Sequence, residues 1–211
     1  MQQARITRRP DNIHVQAKVW VSPVMKLASR TEIRSRLPQT PPHALAGALT
    51  PAAVLVPIVM SEAPTVLFTT RTAHLPDHAG QVCFPGGRFH ASDRTLIETA
   101  LREAEEEIGL TRDDVEIGGF LDHYRTITGF GVLPVIGFLA AAPALAPNAA
   151  EVADVFDVPL AFLVDPANRQ TRRVARNGVH RETYAFTFGG HTIWGATAGM
   201  IVNLSEKLLQ S

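Results

Sequence analysis

Apolar residues fall along this chain in two rhythms, short unbroken runs and steps of three and four. The run Ala53–Met60 (AVLVPIVM), bounded by turn-forming residues, predicts a buried strand. Thr65–Arg71 follows across Ser-Glu-Ala-Pro and predicts its hairpin partner. Val115–Leu121 and Phe130–Ala140 predict further strands, and Val152–Asp165, Tyr184–Phe188 and His191–Trp194 are strand-like runs beyond them. From Thr95 to Ile108 the rhythm changes: Ile97, Ala100, Leu101, Ala104 and Ile108 recur at helical spacing and define one buried stripe. Asp93 or Thr95 can cap its start, and Gly109 suits a left-handed residue just past its end. A closing helix is predicted over Ala196–Leu209, with Met200, Ile201, Leu204 and Leu208 inward. A looser helical pattern over Val24–Leu37, carrying Met25, Leu27, Ile33 and Leu37, stops at Pro38.

These elements alternate without the regular βαβ rhythm of a doubly wound sheet, so the fold class expected is α+β, a mixed β-sheet covered by helices. Residues 1–23, with Pro10 and Pro23, read as a poorly anchored tail in which Val15–Val21 could add a strand. Residues 24–211 read as a single domain that includes the first helix and a proline-rich linker, Pro38–Ala53.

Composition narrows the functional classes. At 211 residues one well-buried domain suffices. Lys plus Arg equals Asp plus Glu at 20 each, so no net field points to nucleic acid or to an anionic membrane. The longest apolar run, Val132–Pro147, is broken by prolines and falls short of a membrane span. The polar, arginine-bearing start lacks a signal layout, and Cys83 is the single cysteine, so a cytoplasmic protein without disulfides is expected. Cys83 itself reads as packing without a nucleophilic role, and Trp194 as core packing before the last helix.

One stretch resists a structural explanation. Residues Glu103 to Glu107 set four glutamates into five positions, in the helical segment that follows Phe84-Pro85-Gly86-Gly87. Glu98, Arg102 and Glu106 can form an i,i+4 ladder on the outer face, and Glu105 points to the opposite edge; solvation accounts for Glu98 and Glu105. Glu103 and Glu107 share a flank beside the apolar stripe, where like charges repel. A hard divalent cation would reverse that sign, since Mg²⁺ takes carboxylate oxygens together with substrate phosphates. Gly86 and Gly87 would let backbone approach a ligand closely, and Pro85 stiffens the entry. A solvated acidic face and an ordinary glycine turn remain the competing reading.

The segment Gly86–Leu110 resembles the signature of the Nudix hydrolases. Arg102-Glu103-Ala104-Glu105-Glu106-Glu107-Ile108-Gly109-Leu110 matches its second half at every fixed position. The first half departs: Gly87 precedes Arg102 by one residue more than the general pattern, and Arg94 stands where a glutamate is usual. Upstream, Thr69, Arg71, Gly80, Phe84, Pro85, Gly86 and Gly87 fit the motif that accompanies the box in coenzyme A diphosphatases, whereas Pro76 replaces its arginine. Thr128–Gly137, Glu151–Leu160 and Ile193–Ile201 extend the likeness to that branch.

The resemblance implies an α/β/α sandwich around the mixed sheet and a Mg²⁺- or Mn²⁺-dependent diphosphatase. It implies metal ligation by Glu103, Glu106 and Glu107 with a backbone oxygen near Gly87, and a second acid, Glu151, as ligand or base. Glu106, Arg102 and Glu151 are the implied catalytic set, with Arg102 orienting a glutamate; Arg71, His78, Gly86 and Gly87 are implied substrate contacts. The implied substrate is coenzyme A or a derivative, cleaved to 4′-phosphopantetheine and adenosine 3′,5′-bisphosphate. ADP-ribose or a dinucleotide is the nearer alternative, for which Pro76 is the best argument, and a non-catalytic nucleotide-binding module the farther one. The expected partner is a small nucleoside diphosphate derivative, and the resemblance admits a homodimer.

Overall fold

A computed structural model describes residues 29–74, 78–140, 143–176 and 179–210. The tail 1–23, the strand expected at Val15–Val21, the start of the first expected helix and Pro76 lie outside the described residues. Within them the elements run α1 (Arg30–Ser35), β1 (Thr50–Val59), β2 (Thr65–Arg71), β3 (Val82–Cys83), β4 (Gly86–Arg88) and α2 (Leu96–Ile108). Next come β5 (Glu116–Phe120), β6 (Tyr124–Arg125), β7 (Phe130–Leu139), β8 (Val152–Pro159) and α3 (Leu160–Val164). β9 (Gln170–Arg176), β10 (Val179–Phe188), β11 (His191–Trp194) and α4 (Gly195–Leu209) complete the fold.

β1 is the spine. It runs parallel to β7 from Thr50↔Phe130 to Val59↔Leu139, and antiparallel to β2 and β4 on its other side. β8 and β3 pair with β2, and β5 and β6 with β7, so eight strands form one mixed sheet. Strand periodicity divides the apolar side chains between two faces. Ala53, Leu55, Leu133 and Val135 meet Ala100, Leu101, Ala104 and Ile108 of α2. Val56, Ile58, Phe68 and Ile136 meet α3, α4 and the small sheet through Leu163, Ile201, Leu204, Phe186 and Ile193. Burial on both faces is why β1 and β7 read as unbroken apolar runs. The expected sandwich is observed, with an antiparallel β11-β10-β9 sheet sharing the α4 side.

Several local expectations change; the strand-like run Val152–Asp165 is strand only to Pro159, and helix α3 takes Leu160–Val164. Gly86 and Gly87 do not form a loop; they are strand, paired with Val54 and Ala53, and neither has a positive φ. Their requirement is space: a Cβ on Gly86 would come within 2.6 Å of the Val54 Cα. Trp194 is not core packing, because Ile193 takes the inward position and Trp194, opposite Ala185, is 37% exposed. The polar, arginine-rich β9 carries no apolar alternation and was not foreseen as a strand. Among the described residues no helix is long and apolar enough to cross a membrane.

Helix α2 is closed at both ends by its sequence. The Thr95 side chain accepts from Glu98 N at 3.2 Å and so caps the start. Gly109 takes φ 69°, and its N–H and that of Leu110 reach back to Glu105 O and Ala104 O at 2.9 and 3.3 Å. The last carbonyls are then used by the loop that follows β7: Ala146 N donates to Ile108 O and Asn148 N to Glu107 O, both at 2.9 Å. A Cβ on Gly109 would need the left-handed conformation and would lie 2.9 Å from the Ala146 Cβ. Gly109→Ala is expected to lower stability by about 1–2 kcal/mol in urea unfolding; an unchanged midpoint would contradict this account of the helix end.

Candidate active site

The acidic flank of α2 is pressed against β4. A Cβ on Gly87 would lie 2.6 Å from Glu103 Oε2, so the absent side chain is the room that the carboxylate occupies. One residue back, Gly86 N donates to Glu107 Oε2 at 3.3 Å. Glu107 is only 3% exposed although it is an acid, and the Glu103 side chain is 14% exposed. Burial, then the neighbouring Glu103 charge, pushes the Glu107 carboxyl up to about 8; Arg71 opposes the shift. Burial also raises Glu103, against the pull of Arg102.

Arg102 organises the outer side of this pair, and here the expected surface ladder with Glu98 is replaced. Glu98 turns back to accept from Arg94 N at 2.8 Å. The Arg102 guanidinium instead meets Asp93 through Nε and Nη2, both at 3.0 Å, and donates Nη2 to Arg88 O at 3.1 Å. Its Nη1 donates to Glu103 Oε1 at 2.9 Å and to Glu106 Oε2 at 3.0 Å. Asp93 does not cap the helix: it is 8% exposed and also accepts from Thr99 Oγ1 and His90 N. These donors, Arg102 foremost, hold its carboxyl well below the usual carboxylate range. Asp93 is the residue the sequence reading missed. Its signal was an acid one position before Arg94, the place where the Nudix pattern has its glutamate.

Arg71 ends β2 with Nη1 at 3.8 Å from Glu107 Oε1. Its Nε is buried and has no hydrogen-bond partner among the described residues. Glu151 stands close enough to raise Glu107, and Asn148 Nδ2 holds its Oε1 at 3.2 Å. The loop after β2 is stitched to the same place: Thr72 N donates to Glu151 O at 2.9 Å, and Thr72 Oγ1 donates to Ala150 O at 3.2 Å. Arg71, Gly86, Gly87, Arg102, Glu103, Glu106, Glu107 and Glu151 are thus brought together. His78 is not: it is exposed, takes φ 59°, and its Nδ1 pairs with Gln81 Oε1 at 2.8 Å. Cys83 is half-buried, with burial pushing its thiol up to about 11, which fits the expected lack of reactivity.

The donors suit a hard divalent cation. Glu103 and Glu107 offer carboxylate oxygens, shielded enough to gain from a positive charge, and Glu106 could extend the set with a side chain 57% exposed. Among the described residues no three His, Cys, Asp or Glu side chains already converge on one point. Mg²⁺ does not require that, since it keeps several waters and shares its coordination with substrate phosphates.

The NUDIX domain profile matches residues 49–176. The Nudix hydrolase NudL of Photorhabdus laumondii, named as uncharacterized, is 39% identical over 168 residues, 80% of this chain and 90% of its own. NudL of Pectobacterium atrosepticum is 42% identical over 161 residues, 74% of this chain and 82% of its own. Among solved structures, a MutT/nudix family protein from Enterococcus faecalis gives a TM-score of 0.49 at 17% identity, covering 79% of this chain and 63% of that one. An Ap4A hydrolase from C. elegans gives 0.45 at 19%, covering 52% and 80%.

The Arg102–Asp93 pair yields a test by stability. A depressed carboxyl contributes stability above its unfolded value, about 3.9, and loses it as pH falls toward the folded value. Asp93→Asn is expected to be less stable than the parent by about 3 kcal/mol near neutral pH, with the gap narrowing below about pH 4. A gap independent of pH would contradict the assignment.

Proposed function

The chain belongs to the Nudix hydrolase family, and from that premise we propose that it hydrolyses the diphosphate of a nucleoside diphosphate derivative, using Mg²⁺ or Mn²⁺ held by Glu103, Glu106 and Glu107. The observation that carries the reading is the meeting of a buried carboxylate, Glu107, and a half-buried one, Glu103, with Arg71 and the glycines of β4 at one place. A divalent cation there supplies charge neutralisation for the anhydride and lowers the pKa of a water.

The protein groups do the rest. Arg102, clamped by Asp93, fixes the rotamers of Glu103 and Glu106 and so holds the acidic flank in place before substrate arrives. Glu106 keeps one oxygen on Arg102 and, being largely exposed, leaves the other free, either to join Glu103 and Glu107 on the cation or to accept the proton of the attacking water. Glu151, steadied by Asn148, is the second candidate for that proton. Arg71 lies within reach of the same carboxylates and contributes a guanidinium to the diphosphate. Water attacks one phosphorus, the other phosphate leaves, and no covalent enzyme intermediate is needed.

Within this class we assign coenzyme A or a derivative as substrate, giving 4′-phosphopantetheine and adenosine 3′,5′-bisphosphate. Support comes from the run of motif residues Thr69, Arg71, Gly80 and Phe84–Gly87, several of which border the carboxylates. Pro76 in place of the motif arginine favours a second reading, ADP-ribose or a dinucleotide, because proline supplies no bidentate phosphate contact. Assays of coenzyme A, acyl-coenzyme A, ADP-ribose and NADH with either cation separate the two. Coenzyme A is expected to give the highest kcat/KM, and a preference for ADP-ribose or NADH would select the alternative.

Glu107→Gln is expected to keep the fold and to lower kcat by roughly a thousandfold or more, the equivalent of several kcal/mol. An unchanged rate would reject the cation assignment. The pH dependence follows from the raised carboxyl. Cation binding must displace the Glu107 proton below about 8, so affinity is expected to rise with pH up to about 8 and then level off. Calorimetry with Mn²⁺ measures this directly, and a flat profile in the parent protein would contradict it.

A further inference from the structure

We infer that Arg71 is a gate on the carboxylate pair, opposing a divalent cation at Glu107 until a diphosphate arrives to engage its guanidinium. The inference rests on the cation-binding reading of Glu103 and Glu107 and adds an order to it.

Two arginines border the acidic flank, and they are held differently. Arg102 is fully committed: its three nitrogens donate to Asp93, Arg88 O, Glu103 and Glu106 at 2.9–3.1 Å. Arg71 faces Glu107 at 3.8 Å, beyond hydrogen-bond distance, so the contact is coulombic and undirected. Its buried Nε has no partner among the described residues. Its backbone, by contrast, is pinned, Arg71 N to Gln81 O at 3.0 Å and Gly80 N to Arg71 O at 3.2 Å, so the strand aims the side chain at this spot. A pinned arginine whose buried Nε has no partner among the described residues is poised for a planar, multiply accepting anion.

Arginine stays protonated. A divalent cation on Glu107 would therefore share that carboxylate with a second positive charge where water is scarce and screening weak. A diphosphate changes the sign, because its oxygens can bind the cation and the guanidinium together. Cation and diphosphate then strengthen each other's binding, reciprocally. A purely structural Arg71–Glu107 pair predicts otherwise, since its removal would leave cation affinity unchanged or lower.

The test is a Mn²⁺ titration of the full chain without nucleotide, followed by electron paramagnetic resonance, with circular dichroism to verify folding. Arg71→Gln is expected to bind Mn²⁺ roughly tenfold tighter than the parent, yet to bind methylene-bridged ADP at saturating Mn²⁺ roughly tenfold more weakly. Arg71→Lys, which keeps the charge without the fork, is expected to keep the parent's Mn²⁺ affinity and lose analogue affinity; Arg71→Met, which also removes the charge, carries the test should Arg71→Gln not fold, with the same gain in Mn²⁺ affinity expected. Unchanged or weaker Mn²⁺ binding in Arg71→Gln, with Glu107→Gln losing Mn²⁺, would overturn the gate alone. Parent-like Mn²⁺ binding in Glu107→Gln would overturn the underlying reading, and the gate with it.

Discussion

A carboxylate with almost no access to water, set beside a second carboxylate on the same helix, is the constraint around which this molecule is arranged. Glu107 is buried as deeply as the apolar residues of its own helix, and its neighbour Glu103 is nearly so. Left to itself such a pair repels and favours protonation. What holds it is a set of contacts from four parts of the chain: the glycine strand beneath, Arg102 with Asp93 outside, Arg71 from β2, and the 146–151 loop at the helix end. The glycine strand and the helix-end loop restrict position, whereas Arg102 and Arg71 also set positive charge against the pair.

The layers of the fold explain how those parts reach one place. β1 takes β4 as an antiparallel neighbour at Ala52–Val54, so the glycines lie flat on the sheet directly under α2. The small residues Ala53, Ala100 and Ala104 let the helix approach that surface closely. The Gly109 cap frees the carbonyls of Glu107 and Ile108 to receive Asn148 and Ala146, and this draws Glu151 toward the same end of the helix. Thr72 then ties the loop after β2 to Glu151, so the strand bearing Arg71 and the loop bearing the extra acid are joined by hydrogen bonds. The last helix turn and its Schellman-type closure therefore serve the site as much as the fold.

Much of this was legible in the chain. The stripe Ile97–Ile108, the runs that became β1, β2 and β7, and the inward face of α4 were all set by local periodicity, which survives packing when one face or both are buried. The placement of Glu103 and Glu107 on one flank followed from helical spacing alone. What escaped depended on distance in sequence. Asp93 pairs with a residue nine positions later, and its offset of one position from Arg94 hid that partnership. Gly86 and Gly87 looked like loop glycines because backbone approach to Ala53 and Val54 is a tertiary fact. β9 is a strand by virtue of its pairing with β10, since its side chains are polar. Trp194 was misplaced because a four-residue run ending at a helix start does not say which of its alternating faces is inward.

The central claim is that the acidic flank of α2 binds a divalent cation. Crystals grown with Mn²⁺ and measured at a wavelength where manganese scatters anomalously test it most directly. The account predicts an anomalous peak bonded to carboxylate oxygens of Glu103 and Glu107. A well-ordered site with no such peak, or a peak held elsewhere on the molecule, would contradict it.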